Sequence, residues 1–226
     1  MSSRIVLSLC DRTGIMVKPW CDAGYDAITV DQKPAAQQWA RRFHVVADVR
    51  TWKYPRDLPR PSIVFAFPPC SHLAVSGARW FRDKGLKALI EALQVVEACR
   101  SLCEDLGAPY MIENPVSVLS SYWREPDYIF DPCDYGDPYT KATCLWTGNG
   151  FVMPERVGAH DLFAAQTIVE PVHGSLIEDF GPSDDRADLR SITPGGFSLA
   201  AFAANHAVLQ GGSWGTQGIS RCASET

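Results

Sequence analysis

The sequence lacks several features that would place it in a specialised class. No run of 18 uninterrupted apolar residues occurs among its 226 residues, so we predict no membrane-spanning helix. The chain also lacks the apolar segment of a signal peptide, because Met1 to Arg4 lead directly into a strand pattern. No internal repeat is present, which excludes a repeat architecture. We therefore expect one globular α/β domain with a large core.

The eight cysteines lack the spacing of a disulfide framework. Cys99 and Cys103 stand one helical turn apart, and Cys70 and Cys144 stand near strand ends. This spacing favours reduced, mostly buried thiols over a secreted protein held by disulfides. We predict a reduced, cytoplasmic protein with no metal site.

The sequence also has no excess of Lys and Arg over Asp and Glu. The net charge is −5, whereas proteins that bind phosphates are usually basic. The charge is uneven, however: residues 1–110 carry 15 Lys and Arg against 11 Asp and Glu, and residues 111–226 carry 6 against 15. A basic cluster follows Cys70 and forms either a cationic face beside a site or the solvated start of a helix; it comprises Arg79, Arg82, Lys84 and Lys87.

Apolar patterns alternate between strands and helices along most of the chain. Strands are predicted at Ile5–Leu9, Ala27–Val30, Val45–Ala47, Ile63–Phe67, from Tyr110 and at Cys144–Trp146. Helices are predicted at Ile15–Ala23 with a kink at Pro19, from Pro34 to Phe43, at Asp83–Leu106, and at Leu199–Leu209 with Ser198 as N-cap. This alternation predicts a parallel sheet with helices on both faces.

Three successive strands end in an aspartate: Asp11, Asp31 and Asp48. A carboxylate after the second strand of such a sheet typically accepts the ribose hydroxyls of a nucleotide-type cofactor. Asp31 has this position, and Asp48 has one suited to an adenine amino group. The first turn, from Leu9 to Gly14, contains a single glycine, so a purely structural turn is the alternative interpretation.

A cysteine and a glutamate also follow predicted strands. Pro68 and Pro69 stiffen the backbone before Cys70, and Glu113 ends the strand that starts at Tyr110. Open α/β sheets place their chemistry at these strand ends, so Cys70 is a candidate nucleophile and Glu113 a candidate acid. The structural alternatives are a buried, inert cysteine and a carboxylate in a salt bridge or helix cap.

Three motifs in this order resemble those of the DNA cytosine-5 methyltransferases, especially short phage-encoded members. They are Pro68-Pro69-Cys70-Ser71, Glu113-Asn114-Pro115 and Ala204-Asn205-His206-Ala207-Val208. The resemblance covers about residues 4–147 and 190–208. It implies a Rossmann-like S-adenosylmethionine-dependent methyltransferase sheet in residues 1–147 and 190–210. Residues 148–189 would form a small irregular recognition insert, and residues 211–226 a flexible tail.

The resemblance implies a role for each matching residue. Cys70 would form the covalent adduct with a flipped cytosine, and Glu113 and Lys141 would assist it. S-adenosyl-L-methionine would be held by Leu9, Asp11, Gly14, Asp31, Gln32, Asp48, Val49, Pro68 and Asn205. The DNA would be contacted by Pro69, Ser71, Ser76, Gly77, Arg79, Arg82, Lys84, Asn114, Pro115 and Thr143.

The chain departs from the family pattern at three places. Cys10 stands where the family has an aromatic residue in a turn richer in glycine. Pro115 replaces a valine, and two alternating arginines are reduced to Lys141 and Thr143, which we expect on one face of a strand.

The resemblance implies methyl transfer to C5 of cytosine in double-stranded DNA by a monomer. One alternative is C5 methylation of a free pyrimidine nucleotide or of RNA. Another is an inactive cofactor-binding module that regulates a partner.

Overall fold

The computed structural model describes residues 4–75, 81–157 and 192–211. Within these residues, seven strands form one sheet in the order β3-β2-β1-β4-β5-β7-β6. The strands are β1 (Ile5–Leu9), β2 (Asp26–Asp31), β3 (Arg42–Val46), β4 (Ile63–Ala66), β5 (Tyr110–Pro115), β6 (Tyr128–Phe130) and β7 (Thr143–Gly148). Strands β1 to β5 pair in parallel, whereas β7 is antiparallel to both β5 and β6.

Helices cover both faces of this sheet. The α-helices are α1 (Lys18–Asp22), α2 (Phe81–Leu106), α3 (Leu119–Tyr122) and α4 (Gly195–Gly211), and 3-10 turns span Ile15–Val17 and Pro132–Tyr135. The predicted α/β fold with a Rossmann-like sheet is confirmed by this topology. Strand β6 is only three residues long and gives little pattern of its own. The antiparallel direction of β7 depends on its pairing with β5 and β6, which the pattern of its own residues does not reveal. No helix of the described residues is long and apolar enough to cross a membrane.

The core consists of two apolar layers, one on each face of the sheet. Leu7 and Leu9 of β1 face the layer that contains α2, whereas Val6 faces the layer that contains α1 and α4. Side chains alternate between faces along a strand, so a strand buried on both faces needs an unbroken apolar run. All five residues of Ile5–Leu9 are buried, and the one polar residue among them, Ser8, donates its hydroxyl to the Asp11 carboxylate.

The helix predicted from Pro34 to Phe43 is wrong. Residues 32–41 form an irregular crossover, and β3 begins at Arg42, three residues before the predicted strand. The Arg42 guanidinium donates to the carbonyl of Gln37 and to carbonyls of the turn after β1. These bonds satisfy part of the backbone without a helix. Because the segment before β3 forms no helix that could cover this edge strand, Phe43 and Val46 are exposed, at 59% and 60%.

Two details at helix ends also differ from the prediction. A 3-10 turn ends at Val17 and α1 starts at Lys18, so Pro19 lies in the first turn of α1, where its missing N–H costs nothing. Helix α4 begins at Gly195, and Ser198 lies inside it, donating to the carbonyl of Ile15. The capping acceptor is Asp137, whose carboxylate accepts the backbone N–H of Gly196 at 2.9 Å.

Most of the predicted insert lies outside the described residues, and so does the tail after Gly211. Residues 149–157, which follow β7, pack on the body of the domain. The Tyr135 hydroxyl donates to the carbonyl of Pro154, and the backbone N–H of Val157 donates to the carbonyl of Asp134. The first part of the predicted insert is therefore tied to the sheet domain.

Candidate active site

A cavity of about 340 Å³ opens at the carboxyl ends of the parallel strands. It lies where the strand order reverses between β1 and β4, which is the usual ligand position in open α/β sheets. Its size falls in the range of small-molecule pockets. The cavity is lined by Cys10, Asp11, Arg12, Thr13, Val30, Asp31, Gln32, Lys33, Ala47, Val49, Phe67, Pro68, Pro69, Cys70, Ser71, Val95, Glu113, Pro115, Lys141 and Thr193.

The turn after β1 is organised by the buried carboxylate of Asp11. Its Oδ1 accepts the backbone N–H of Gly14 at 2.6 Å, and its Oδ2 accepts the Ser8 hydroxyl at 2.7 Å. Gly14 has a φ of +69°, a conformation that disfavours a Cβ. Asp11 lines the cavity, whereas Leu9 and Gly14 shape the backbone behind it. The predicted first turn is thus held chiefly by a side-chain acceptor rather than by glycines.

Asp31 and Gln32 lie in the cavity wall at the end of β2, as expected. Oδ1 of Asp31 accepts the backbone N–H of Lys33 at 2.8 Å. Burial raises the pKa of Asp31 above its usual value. Val30, Ala47 and Val49 add an apolar surface beside this carboxylate. A carboxylate next to an apolar slot suits a nucleoside, whose ribose donates two hydroxyl groups and whose base is flat.

Asp48 does not face the cavity. Its carboxylate pairs with the guanidinium of Arg50 at 2.5 Å, and that contact lowers the pKa of Asp48. The prediction that Asp48 holds an adenine is not supported by this placement, because its oxygens are engaged at the surface. Asn205 also lies elsewhere: its amide bonds both backbone groups of Val152 and so ties α4 to the segment after β7.

Cys70 lines the cavity from the corner that follows β4. The carbonyl of Pro68 accepts the side-chain N–H of the buried Asn114 at 2.9 Å, which joins this corner to β5. The carbonyl of Cys70 accepts the N–H groups of Leu73 and Ala74, so a turn starts directly after the thiol. Pro68, Pro69 and Ser71 lie in the same wall. Asn114 itself is behind the wall and acts on the corner rather than on the cavity.

Glu113 and Lys141 face each other in the cavity. Their side chains are 15% and 11% exposed, and Nζ of Lys141 lies 3.6 Å from Oε1 of Glu113. Oε1 is buried and has no hydrogen-bond partner in the described part of the chain. A buried acceptor of this kind is costly unless a ligand satisfies it. The carboxyl group is therefore arranged to meet a polar group that enters the cavity.

Thr143 does not share this face with Lys141. Lys141 precedes β7, and the hydroxyl of the fully buried Thr143 donates back to the carbonyl of Lys141 at 2.6 Å. Thr143 is absent from the cavity wall, whereas Pro115 belongs to it. The expectation that Lys141 and Thr143 are neighbours on one strand face is wrong, because the strand starts only at Thr143.

The predicted basic cluster is described only in part. Ser76, Gly77 and Arg79 lie outside the described residues. Arg82 and Lys84 are exposed in the first turn of α2, before Gly85 with its φ of +75° interrupts the helix. Nζ of Lys84 donates to the carbonyl of Ser71 at 2.6 Å. This bond places one cation of the cluster directly beside the Cys70 corner.

Several cavity residues were missed by the sequence analysis. Phe67, Arg12 and Lys33 flank predicted strand ends, so their positions were open to prediction. The positions of Val95 and Thr193 could not be predicted from strand ends. Val95 lies on α2, which packs on the sheet, and Thr193 lies in the segment before α4. Among the described residues, no group of three or more His, Cys, Asp or Glu side chains forms a potential metal site.

No protein-family model and no curated protein sequence matches the chain. Among solved structures, it is similar to an Escherichia coli prophage-encoded protein described as a candidate DNA modification methyltransferase, at 17% identity and a TM-score of 0.46, over 65% of this chain and 46% of that chain. It is also similar to the glycopeptide N-methyltransferase MtfA, at 16% identity and a TM-score of 0.32, over 65% of this chain and 66% of that chain.

The chain thus spans less than half the length of the first of these proteins. At these identities and TM-scores, the similarity to these two proteins does not indicate which reaction this chain catalyses. The class of the fold is defined by the sheet itself, which is a Rossmann-like α/β sheet with the order β3-β2-β1-β4-β5-β7-β6 and an antiparallel β7.

Proposed function

We propose that this chain transfers a methyl group from S-adenosyl-L-methionine to C5 of cytosine in DNA. One observation carries the proposal: a single cavity contains Asp31 in one wall and Cys70, Glu113 and Lys141 in another. The first wall suits a nucleoside cofactor, and the second suits a pyrimidine ring that needs a nucleophile and a proton donor.

The residues of the first wall fit S-adenosyl-L-methionine. Asp31 would accept the ribose hydroxyls, and Val30, Ala47 and Val49 would contact the adenine ring. The turn at Asp11 would border the methionine part. When bound, the cofactor supplies an electrophilic methyl group on a positively charged sulfur.

The cytosine ring is activated by residues of the second wall. C5 of cytosine is a weak nucleophile, so the Cys70 thiolate first adds to C6. The electron pair of the C5–C6 bond then becomes available at C5, while Glu113 donates a proton to N3 and accepts a hydrogen bond from the exocyclic amine. Lys141 offers a cation for the negative charge that develops on the ring. C5 then attacks the methyl group, whose bond to the sulfonium sulfur breaks and leaves a neutral thioether. A base removes the C5 proton as the C6–S bond breaks to restore the thiolate, and N3 returns its proton to Glu113.

Two cysteines line this cavity, and their surroundings distinguish them. Sγ of Cys10 lies 3.9 Å from Sγ of Cys99, and this contact together with burial raises the pKa of Cys10 well above its usual value. Cys10 is therefore held as a thiol, which is a poor nucleophile. Both thiols are half-buried by solvent exposure, but Cys70 lies at a corner stiffened by two prolines, in the wall that contains Glu113. This difference supports Cys70 as the attacking residue.

DNA as substrate requires that the target base leave the stack, at a cost of a few kcal/mol. Arg82 and Lys84, beside the Cys70 corner, are placed to contact phosphates near a flipped base. The proposal is tested by incubating the protein with methyl-labelled cofactor and, separately, duplex DNA, RNA and deoxycytidine monophosphate. We expect label only in DNA, as 5-methylcytosine after hydrolysis. Label in RNA or the mononucleotide would instead favour the other substrates, and label in none would favour a regulatory module.

Replacing Asp31 with alanine is expected to weaken cofactor binding by about 10–150-fold, because a charge-assisted hydrogen bond is worth roughly 1.5–3 kcal/mol. Calorimetric titration with S-adenosyl-L-methionine measures the change. The matched control is Asp22→Ala, which removes an exposed carboxylate paired with Lys18 on α1. An unchanged affinity in Asp31→Ala would exclude the assigned role.

The affinity for the cofactor is also expected to fall as the pH is lowered. Only the ionised Asp31 carboxylate accepts both ribose hydroxyls, and burial raises its pKa in the protein without cofactor. The cofactor bonds favour the ionised form, so the pKa is lower in the complex and acid opposes binding. Titrations across the acidic range should show this fall in the wild type and not in Asp31→Asn. A wild-type affinity independent of pH would argue against these bonds.

We predict a short recognition sequence of roughly two to four base pairs, with no need for a palindrome. Residues 149–157 are tied to the body of the domain, so residues 158–189 are what remains of the insert for contacts with bases. Each base pair read directly needs one or two well-placed side chains and discriminates by roughly 1–3 kcal/mol. Bisulfite sequencing of a fully methylated plasmid measures the site. A requirement for six or more defined bases would show that other contacts read the DNA.

A further inference from the structure

The side chain of Arg42 lies behind the cofactor wall and is only 5% exposed. All five of its N–H donors are used, and four of them bond backbone carbonyls. Nε donates to the Thr29 hydroxyl at 3.1 Å, Nη1 donates to the carbonyls of Thr13 and Gln37 at 3.0 and 2.6 Å, and Nη2 donates to those of Asp11 and Arg12 at 3.2 and 2.8 Å. One guanidinium therefore binds three consecutive carbonyls of the turn after β1.

The same side chain is linked to the turn after β2. Nε2 of His44 lies 2.9 Å from the carbonyl of Lys33, which only accepts, so Nε2 donates there. Nδ1 of His44 then accepts the hydroxyl of Thr29, 2.9 Å away, and that hydroxyl oxygen also accepts Nε of Arg42. The chain of bonds thus runs from Arg42 through Thr29 and His44 to Lys33, whose N–H bonds Asp31.

We propose that Arg42 is a positioning residue that holds the turns after β1 and β2 in register and so sets the affinity for the cofactor. It touches neither the cofactor nor the reacting base. The inference rests on the proposed function, because it assigns the cofactor to the cavity that these turns border. Turns that are already ordered bind a ligand more tightly than flexible turns, because flexible turns lose conformational entropy when the ligand binds.

Core stability alone does not account for this arrangement. Burial lowers the pKa of Arg42, whereas the charge of the nearby Asp11 carboxylate acts in the opposite direction. Burial is the larger effect, so the charged guanidinium is costly to desolvate. Four of its five bonds go to backbone carbonyls of the irregular segments 11–14 and 32–41, to which an apolar side chain could not donate. Gly14 keeps this space open, because a Cβ there would lie 2.5 Å from Cζ of Arg42.

The test compares Arg42→Lys with Arg41→Lys. Lysine keeps the charge and most of the stem but has three donors on one atom, so it cannot span the two turns. Arg41 is the matched control, because its side chain is exposed and pairs with Asp26 on the far side of the turn. Calorimetry with S-adenosyl-L-methionine, thermal melting, DNA binding without cofactor, and kcat at saturating cofactor are measured for each protein.

For Arg42→Lys we expect cofactor affinity to fall about tenfold or more, with DNA affinity unchanged and kcat at saturating cofactor within about threefold of wild type. Arg41→Lys should match the wild type. A merely structural role would lower the melting temperature and leave the affinity of the folded protein unchanged, and this result would overturn the inference. Failure of the wild type to bind the cofactor would overturn the proposed function as well.

A second variant covers the case in which Arg42→Lys does not fold. Thr29→Val keeps the shape of a buried side chain and removes only the hydroxyl between Arg42 and His44. We expect it to weaken cofactor binding about threefold or more, again with kcat at saturating cofactor unchanged. An affinity equal to that of the wild type in this variant would overturn the inference.

Discussion

A Cys70→Ser variant is expected to bind S-adenosyl-L-methionine like the wild type and to transfer no measurable methyl group, a loss of roughly 10⁴-fold or more. A serine hydroxyl is not ionised near neutral pH and cannot add to C6 of cytosine as a thiolate does. Cys70 lies in the cavity wall but outside the part formed by Asp31 and Val49, so cofactor affinity should not change. Methyl incorporation and calorimetry on the same samples measure the two effects.

The covalent step has a separate readout. DNA that contains 5-fluorocytosine carries fluorine in place of the C5 proton, so the final elimination is blocked and the adduct persists. The wild type and Cys133→Ser should give an adduct stable in sodium dodecyl sulfate, because Cys133 lies in a 3-10 turn that does not line the cavity. Cys70→Ser should give none. An adduct of normal yield in Cys70→Ser would assign the nucleophile to another residue.

Glu113→Gln is expected to lower kcat by roughly 10²–10⁴-fold, which is the usual contribution of a positioned acid or base. Glutamine keeps the shape of the side chain but has no proton to give to N3, and its neutral amide leaves the Lys141 ammonium, 3.6 Å from Oε1 in the wild type, without this carboxylate. Cofactor affinity should remain that of the wild type. Single-turnover methylation at saturating cofactor measures the loss.

The 5-fluorocytosine adduct also separates Glu113 from Cys70. Glu113→Gln retains the thiol, so the adduct should still form, but more slowly. The matched control is Glu91→Gln, which removes an exposed carboxylate of α2 that pairs with Lys87. A kcat within about threefold of the wild type in Glu113→Gln would remove Glu113 from the mechanism.

The site residues that could be predicted from the sequence are those that follow a buried strand. Asp31, Cys70 and Glu113 each follow a short, largely apolar stretch, and parallel strands bring their carboxyl ends to one edge of the sheet. Burial on both faces makes such runs conspicuous in the sequence. The meeting of these three residues in one cavity therefore follows from local patterns and a single rule of topology.

The errors arose where a residue's partner is decided by folding. Asp48 has the expected position, but its carboxylate pairs with Arg50 and is not part of the cavity wall, so its contact with an adenine stays a prediction. The apolar spacing after Pro34 favoured a helix, yet Arg42 bonds carbonyls of that segment and of a turn 30 residues earlier. The cap of α4 is Asp137, although Ser198 is the locally favourable residue. The acceptors of Arg42 and of the start of α4 are far away in the sequence, so the pattern of neighbouring residues does not reveal them.

The sequence by itself determined the alternation of strands and helices, the strand ends that carry Asp31, Cys70 and Glu113, and the two prolines that stiffen the corner before the thiol. These features depend on side-chain periodicity and backbone restriction, which act within a few residues. Only the tertiary structure decided which polar groups face the cavity and which are engaged elsewhere, as for Asp48 and Arg42. The reason is that a buried hydrogen-bonding group must find a partner, and packing of distant segments selects which one is within reach.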